Sequence, residues 1–142
     1  MNVLHFSIAL VCFLMTIGCG TSQISTYSVT GTVVFEDGSP VRSGTVELES
    51  RDHHLTATGA IRDDGSFVLG THKSNDGACA GRLGVIVIQL IINDGTFKHS
   101  KDHGRTVDPV FSSYNSSPLM ATIQAQESNT LKLTVASRGT SR

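Results

Sequence analysis

Residues 27–48, YSVTGTVVFEDGSPVRSGTVEL, alternate apolar and polar side chains on both sides of a turn cluster. A period of two residues is the repeat of a β-strand that buries one face. The cluster at 36–40 combines a glycine, which tolerates positive φ, with a proline, which fixes its own φ. The stretch therefore predicts two strands joined by a tight turn. The inward face of the first strand carries Tyr27, Val29, Gly31, Val33 and Phe35.

The same alternation continues along the chain and predicts about seven strands. The later strands are expected at residues 44–50, 55–61, 66–69, 83–92, 119–125 and 131–135. Asp63-Asp64-Gly65 is a hairpin signal, and the polar segments Thr71–Gly81 and Thr96–Ser117 are predicted loops. Leu83–Ile92 is apolar and β-branched, which favours a central strand buried on both faces. These features predict an all-β chain, an antiparallel two-sheet β-sandwich of transthyretin-like or immunoglobulin-like form.

Composition and charge narrow the classes of function. Charged residues make up 16% of the chain, aromatic residues 6%, and the formal net charge is -1. A chain so nearly neutral has no electrostatic reason to bind nucleic acid. Cys12 and Cys19 fall in or next to the first apolar stretch, which leaves Cys79 as the single thiol of the body. The sequence therefore predicts no disulfide framework.

The first residues have the pattern of an export signal. Val3–Ile17 is almost wholly apolar, with the length of a signal-peptide core rather than of a membrane span. Thr16-Ile17-Gly18-Cys19 follows and resembles the lipobox of bacterial lipoproteins. Thr16 stands where that family usually has Leu, and no Lys or Arg precedes the apolar run. An ordinary cleaved signal peptide and an uncleaved apolar anchor are the alternatives.

The lipoprotein resemblance implies a domain organisation and a location. Residues 1–18 would be the signal peptide, and Cys19 would receive the lipid. Residues 19–26 would form the tether, 27–136 the β-sandwich and 137–142 a tail. Gly20 occupies the position at which Asp would resemble an inner-membrane retention signal. We therefore expect a lipid-anchored protein of the cell envelope, on the outer membrane or the periplasmic face rather than in the cytoplasm.

The turn motifs resemble those of carboxypeptidase regulatory-like domains, which are transthyretin-like (prealbumin-like) sandwiches. The resemblance begins with Val29–Val33, Asp37-Gly38-Ser39-Pro40 and Gly44-Thr45-Val46, and continues through Thr58-Gly59 to Asp63–Phe67. Small planctomycete-type lipoproteins with this domain are the nearer likeness. The sequence features that recur in those lipoproteins resemble four stretches of this chain: Asp76-Gly77-Ala78, Tyr114, Ser116–Leu119 and Glu127–Thr130. The family usually has Gly-x-Tyr at the start of the long strand, where this chain has Gly81-Arg82-Leu83. The resemblance implies a fold but no catalytic role.

Candidate metal sites are weak, and we predict neither a metal nor a cofactor. Asp63, Asp64 and Asp76 lack the alternating oxygen ligands and the closing glutamate of a calcium loop. His99 and His103 are four residues apart, but they fall in a polar loop rather than on a predicted helix. Hairpin turns and exposed loop histidines are the expected roles of these residues.

The candidates for catalysis are equally sparse. Cys79 and His72 are neighbours in sequence, but no oxyanion-hole motif accompanies them. The alternative function is that of a transthyretin-related hydrolase, of the hydroxyisourate hydrolase kind. That family ends in Tyr-Arg-Gly-Ser, whereas this chain has Ser137-Arg138-Gly139-Thr140 and no His in its first strand. We therefore expect a protein that is not an enzyme.

Loops are then the expected surface for recognition, as on other β-sandwiches. The longest of them carries Lys98, Lys101 and Arg105, with His99 and His103 between. This basic cluster is the predicted contact for an anionic envelope polymer or an envelope protein. A solvated loop that binds nothing is the alternative. The membrane, through the lipid anchor, is the other expected partner.

Overall fold

The computed structural model describes residues 23–89 and 105–139, and this part of the chain forms eight β-strands. A short 3-10 helix, Pro109–Ser112, precedes the seventh strand. No helix in the described ranges is long and apolar enough to cross a membrane. The strands are β1 (Thr26–Phe35), β2 (Thr45–Ser50), β3 (Leu55–Ala60), β4 (Ser66–Val68), β5 (Ala78–Cys79), β6 (Gly81–Ile88), β7 (Met120–Ile123) and β8 (Ser128–Val135).

The strands form two sheets, which confirms the predicted all-β sandwich. In the first sheet β1 pairs with β4, β5 and β8. The second sheet has the order β3-β2-β6-β7, and all of its pairs are antiparallel. The first sheet departs from the antiparallel prediction, because β8 runs parallel to β1 from the Ser28–Ser128 pair to the Phe35–Val135 pair. An alternating pattern is the same for both strand directions, so the sequence could not reveal this.

The core lies between the two sheets and is filled by the inward positions predicted for β1 and β2. Val29, Val33, Val46 and Leu48 have no exposed surface, and Phe35 has 2%. Complete burial of one such side chain stabilises the fold by about 1.5–3 kcal/mol. The other strands add Ala57, Phe67, Ala78, Cys79, Leu83, Val85, Val87, Ala121, Ile123, Leu133 and Val135 to the same core.

The central strand of the second sheet is β6, as predicted. Its bounds differ, because it begins at Gly81 and ends at Ile88, while residues 90–92 of the predicted strand lie outside the described ranges. Leu83, Val85 and Val87 face the core at 1% exposure each. Ile86, on the opposite face, is also buried. Burial on both faces explains why this run is apolar without alternation.

The predicted turn at Asp63-Asp64-Gly65 forms, but its two strands belong to different sheets. The Gly65 N–H donates to the Arg62 carbonyl at 2.9 Å or less, and the Arg62 N–H donates to the Ser66 carbonyl at 2.9 Å. Before the turn, β3 pairs with β2 in the second sheet. After the turn, β4 pairs with β1 in the first sheet. The turn is therefore a corner between the sheets, which lets Phe67 enter the core at 1% exposure.

The segment Thr71–Gly81, predicted as a loop, contains strand β5. Ala78 and Cys79 pair with Tyr27 and Thr26, and both are buried. The prediction was wrong at these two residues because a two-residue strand is too short to show a period. Asp76 holds the preceding turn, since its carboxylate accepts the backbone N–H groups of Thr71, His72 and Lys73.

Candidate functional site

Arg105, the described member of the predicted basic cluster, is attached to the turn after β1. Its Nη2 lies 2.9 Å from Oδ1 of Asp37 and 3.1 Å from Oγ of Ser39. Its guanidinium carbon lies 4.4 Å from the centre of the Phe35 ring, within range of a cation–π contact. Lys98 and Lys101 lie outside the described ranges. The guanidinium of Arg105 therefore already has partners within the domain.

The carboxylate of Asp37 is held in its ionised form by this cluster. The Ser39 hydroxyl and backbone N–H both donate to Oδ1 of Asp37, at 2.7 and 3.0 Å. These hydrogen bonds lower the pKa of Asp37, and the charge of Arg105 lowers it further. Asp37 and Arg105 are both substantially exposed, so solvent screens the ion pair and its contribution to stability is small.

Residues 90–104, which we call the basic segment, are bounded on both sides by residues at the opposite end of the domain from the start of β1. We call the end where β1 begins the anchor end and the end where β1 stops the far end. β1 has ten residues and is about 30 Å long. Arg105 contacts Phe35 at the far end, and the Gln89 side chain accepts the N–H of Val107 at 2.9 Å. Both boundaries of residues 90–104 therefore lie at the far end.

The anchor end holds the residues that precede β1. The Ile24 carbonyl lies 3.2 Å from Nε2 of His72, so the chain is in contact with the β4–β5 loop before the strand begins. Cys19, the predicted lipidation site, lies outside the described ranges. The covalent chain from Cys19 to Ile24 can span at most about 17 Å. A lipid on Cys19 would therefore keep this end close to the membrane surface.

Cys79, which the sequence analysis considered as a nucleophile beside His72, is not at the surface. Cys79 is a free thiol at 2% exposure and belongs to the hydrophobic core. His72 is exposed, and its ring contacts the Ile24 carbonyl. A thiol buried among apolar side chains behaves as a small hydrophobe rather than as a nucleophile. The pair is therefore not assembled for catalysis.

The acidic residues considered as calcium ligands hold turns instead. Oδ1 of Asp64 accepts the Ser66 N–H at 2.9 Å, and hydrogen bonds from Ser66 lower the pKa of Asp64. Partial desolvation would raise the pKa of Asp76, but its three backbone donors outweigh that effect and lower it. Within the described ranges, no three His, Cys, Asp or Glu side chains are grouped to hold a metal ion. His99 and His103 lie outside those ranges.

A cleft on the outer face of the second sheet was not predicted from the sequence. It has a volume of about 280 Å³, and we call it the tyrosine cleft. Tyr114 lies on β6 at Gly84, where an added Cβ would be 3.4 Å from the ring. Two signals stood in the sequence: Gly84 is a glycine inside an apolar strand, which often marks a close approach, and Tyr114 was quoted above for its family resemblance. The cleft is lined by Glu49, Arg51, Asp52, Arg82, Gly84, Val85, Tyr114, Ser117, Leu119 and Met120.

The hydroxyl of Tyr114 is buried and has no hydrogen-bond partner within the described ranges. An unpaired buried polar group costs about 1–3 kcal/mol unless water or a ligand completes it. Burial, together with the negative charges of Glu47 and Glu49, raises the pKa of Tyr114 to about 12. The phenol is therefore protonated at neutral pH and keeps one O–H to donate.

The charged side chains around the cleft are only loosely engaged. Nε of Arg51 lies 3.6 Å from a carboxylate oxygen of Glu49, and the Arg51 side chain is 77% exposed. The side chain of Arg82 is exposed and makes no hydrogen bond or ion pair within the described ranges. Loosely held guanidinium and carboxylate groups can exchange their present contacts for those of a ligand at little cost.

Comparisons with protein families, with characterised proteins and with solved structures give no match to this chain. The likeness to carboxypeptidase regulatory-like lipoproteins thus stays a prediction that rests on the motifs quoted above. Since a sandwich fold hosts many functions, the function has to be argued from the surfaces of this domain.

Proposed function

We propose that this chain is a non-catalytic cell-envelope lipoprotein, in which a lipid on Cys19 holds a β-sandwich that binds a partner or serves as a structural module. The observation that supports the proposal is the opposite placement of the two ends. β1 begins shortly after Cys19, and both boundaries of the basic segment lie at the far end, about 30 Å away. An anchored domain built in this way presents its far end away from the membrane.

The proposal extends to the partner of the basic segment. Lys98 and Lys101 lie between residues 89 and 105, which the domain holds at the far end. Arg105 is bound to Asp37, so the positive charge left for a partner is that of Lys98 and Lys101, which stand beside Asp94 and Asp102 of the same segment. An anionic envelope polymer or an acidic envelope protein fits this charge, and its attraction would weaken with added salt.

We propose a non-catalytic role because Cys79, the free thiol of the described ranges, is buried. Cys79 is at 2% exposure in the core, and the imidazole of His72 is at the surface against Ile24. Nucleophilic catalysis needs a base within hydrogen-bond reach of an accessible nucleophile. A hydrolase that used this pair would have to open the core first.

Replacement of Cys19 tests the anchor. We expect Cys19→Ala to accumulate as a full-length precursor that takes up no labelled fatty acid, because the thiol that accepts the lipid is gone. Two or more acyl chains give a stable hold on a bilayer, and without them the uncleaved apolar run is the only attachment that the precursor keeps. The measurement is metabolic labelling followed by fractionation.

Cys12→Ala is the matched control, since Cys12 is the other cysteine of the N-terminal region. It should be labelled and processed like the wild type. Equal labelling of the Cys19→Ala protein would exclude the proposed lipid anchor.

A further inference from the structure

We propose that the tyrosine cleft is a binding site for a neutral oligosaccharide. The cleft lies on the outer face of the β3-β2-β6-β7 sheet and contains no residue of the basic segment. The proposal is therefore independent of the lipid on Cys19 and of Lys98 and Lys101. It names a second surface of the domain and the chemical class of its ligand.

The charges that line the cleft argue for a ligand without net charge. Two carboxylates, Glu49 and Asp52, are balanced by two guanidinium groups, Arg51 and Arg82. A strongly anionic ligand would meet the carboxylates, and a strongly cationic ligand would meet the guanidinium groups. Carboxylates only accept hydrogen bonds and guanidinium groups only donate them. Hydroxyl groups do both, so a polyhydroxylated ligand satisfies all four side chains.

Tyr114 supplies an unused donor and an aromatic wall at the same place. Its buried hydroxyl has no partner within the described ranges, although the ring is fixed against Gly84. The hydroxyl is closed to solvent in this structure, so a ligand oxygen becomes its acceptor only by displacing the groups that cover it. The ring itself offers apolar surface, and a tyrosine with one polar tip is well suited to a ligand with both apolar and polar parts.

The floor and the rim of the cleft provide apolar surface for the proposed oligosaccharide. Gly84 leaves the strand backbone without a side chain beside the ring, and Met120 is 48% exposed at the neighbouring strand. Val85 and Leu119 add apolar lining. The C–H faces of sugar rings pack on such surfaces while their hydroxyls reach the polar rim. Binding sites commonly combine a mostly apolar lining with a few polar groups of this kind.

Titration calorimetry of the full chain with neutral hexasaccharides tests the proposal. The probes are cellohexaose, xylohexaose, laminarihexaose and maltohexaose, with the protein held in a polyoxyethylene detergent that has no sugar headgroup. We expect at least one probe to bind at one site. Tyr114→Phe keeps the ring and removes only the hydroxyl, and should weaken binding about threefold to tenfold, the effect of one hydrogen bond. Arg82→Ala should weaken it at least as much.

Lys132→Ala is the matched control, because Lys132 is an exposed charged residue on β8 in the other sheet. It should bind the same probe with wild-type affinity. Thermal melting of each variant separates lost binding from lost folding. The proposal is overturned if no hexasaccharide binds, if Tyr114→Phe and Arg82→Ala both bind like the wild type, or if only the charged peptides hexalysine or hexaaspartate bind.

Discussion

Gly38 and Gly77 show how the same backbone conformation can carry different constraints. Both have positive φ, at 84° and 87°, in the region that side chains other than glycine rarely adopt. A Cβ on Gly38 would meet nothing within 4 Å. A Cβ on Gly77 would overlap the backbone carbonyl of Tyr27. Gly77 is therefore required both by its dihedral angle and by the approach of β1.

Gly77→Ala should destabilise the domain much more than Gly38→Ala. The dihedral angle alone costs about 1–2 kcal/mol for alanine, which is the whole effect expected at Gly38. At Gly77 the backbone of β1 would have to move, and the β1–β5 pairing would be lost with it. Urea unfolding of the two variants measures the difference. A similar loss of unfolding free energy in both would mean that Tyr27 and Gly77 are not in close contact.

At the scale of elements, β6 is an inner strand of the second sheet and contacts the core, both neighbouring strands and the tyrosine cleft. It pairs with β2 on one side and with β7 on the other, and the Ser117 hydroxyl donates to the Val85 carbonyl at 2.6 Å. Its inward residues fill the core, and Tyr114 lies against its outward glycine, Gly84. The stability of the sandwich and the shape of the tyrosine cleft therefore depend on the same strand.

Val87→Asp should abolish soluble expression, whereas Thr56→Asp should be tolerated. Val87 is at 1% exposure, and a carboxylate there would lose the apolar contacts and be buried without a partner. Thr56 is exposed on β3, where an added charge stays in water. The soluble fraction of each variant after expression is the readout. Soluble, folded Val87→Asp protein would be inconsistent with a central buried strand.

The bounds of the elements show how far the alternation in sequence was informative. β1, β2 and β3 were predicted to within about one residue, because each buries every second side chain. β5 was missed, since two residues carry no period. The direction of β8 was predicted wrongly, since an antiparallel sandwich was expected and β8 runs parallel to β1. Parallel pairing with β1 depends on how the whole chain between them is folded.

The whole molecule has two ends with different roles in the proposed function. β8 runs parallel to β1, so the turn before β8 lies at the anchor end, with Glu127 on it. The turn after β1 lies at the far end, with Glu36 on it. Both glutamates are exposed, and they stand about 25–30 Å apart along the strands. This pair can report the orientation of the domain on a membrane.

In vesicles that contain spin-labelled quencher lipids, a fluorophore on Glu127→Cys should be quenched more strongly than one on Glu36→Cys. With a lipid on Cys19, the short chain from Cys19 to Ile24 would keep the anchor end near the bilayer. The buried Cys79 should not react with the label in the folded protein. Equal quenching at both positions would contradict a display in which the far end and the basic segment point away from the membrane.

By itself, the sequence determined the fold class, the inward face of each long strand and the positions of the main turns. Those properties are local, because burial of one face imposes a period of two and tight turns demand particular residues. The predicted export and lipidation signal is likewise a linear motif. Neither the partner strand nor the contents of a cleft follow from a local pattern.

Only the tertiary structure decided which distant residues meet. Arg105 binds Asp37 across 68 positions, and Tyr114 lies on Gly84 in a cleft that joins residues from three separate segments of the chain. Alternation specifies which face of a strand is buried, but the same alternation fits any neighbour and either direction. The choice among neighbours is made by the packing of the whole core, and the surfaces available for binding are a consequence of that choice.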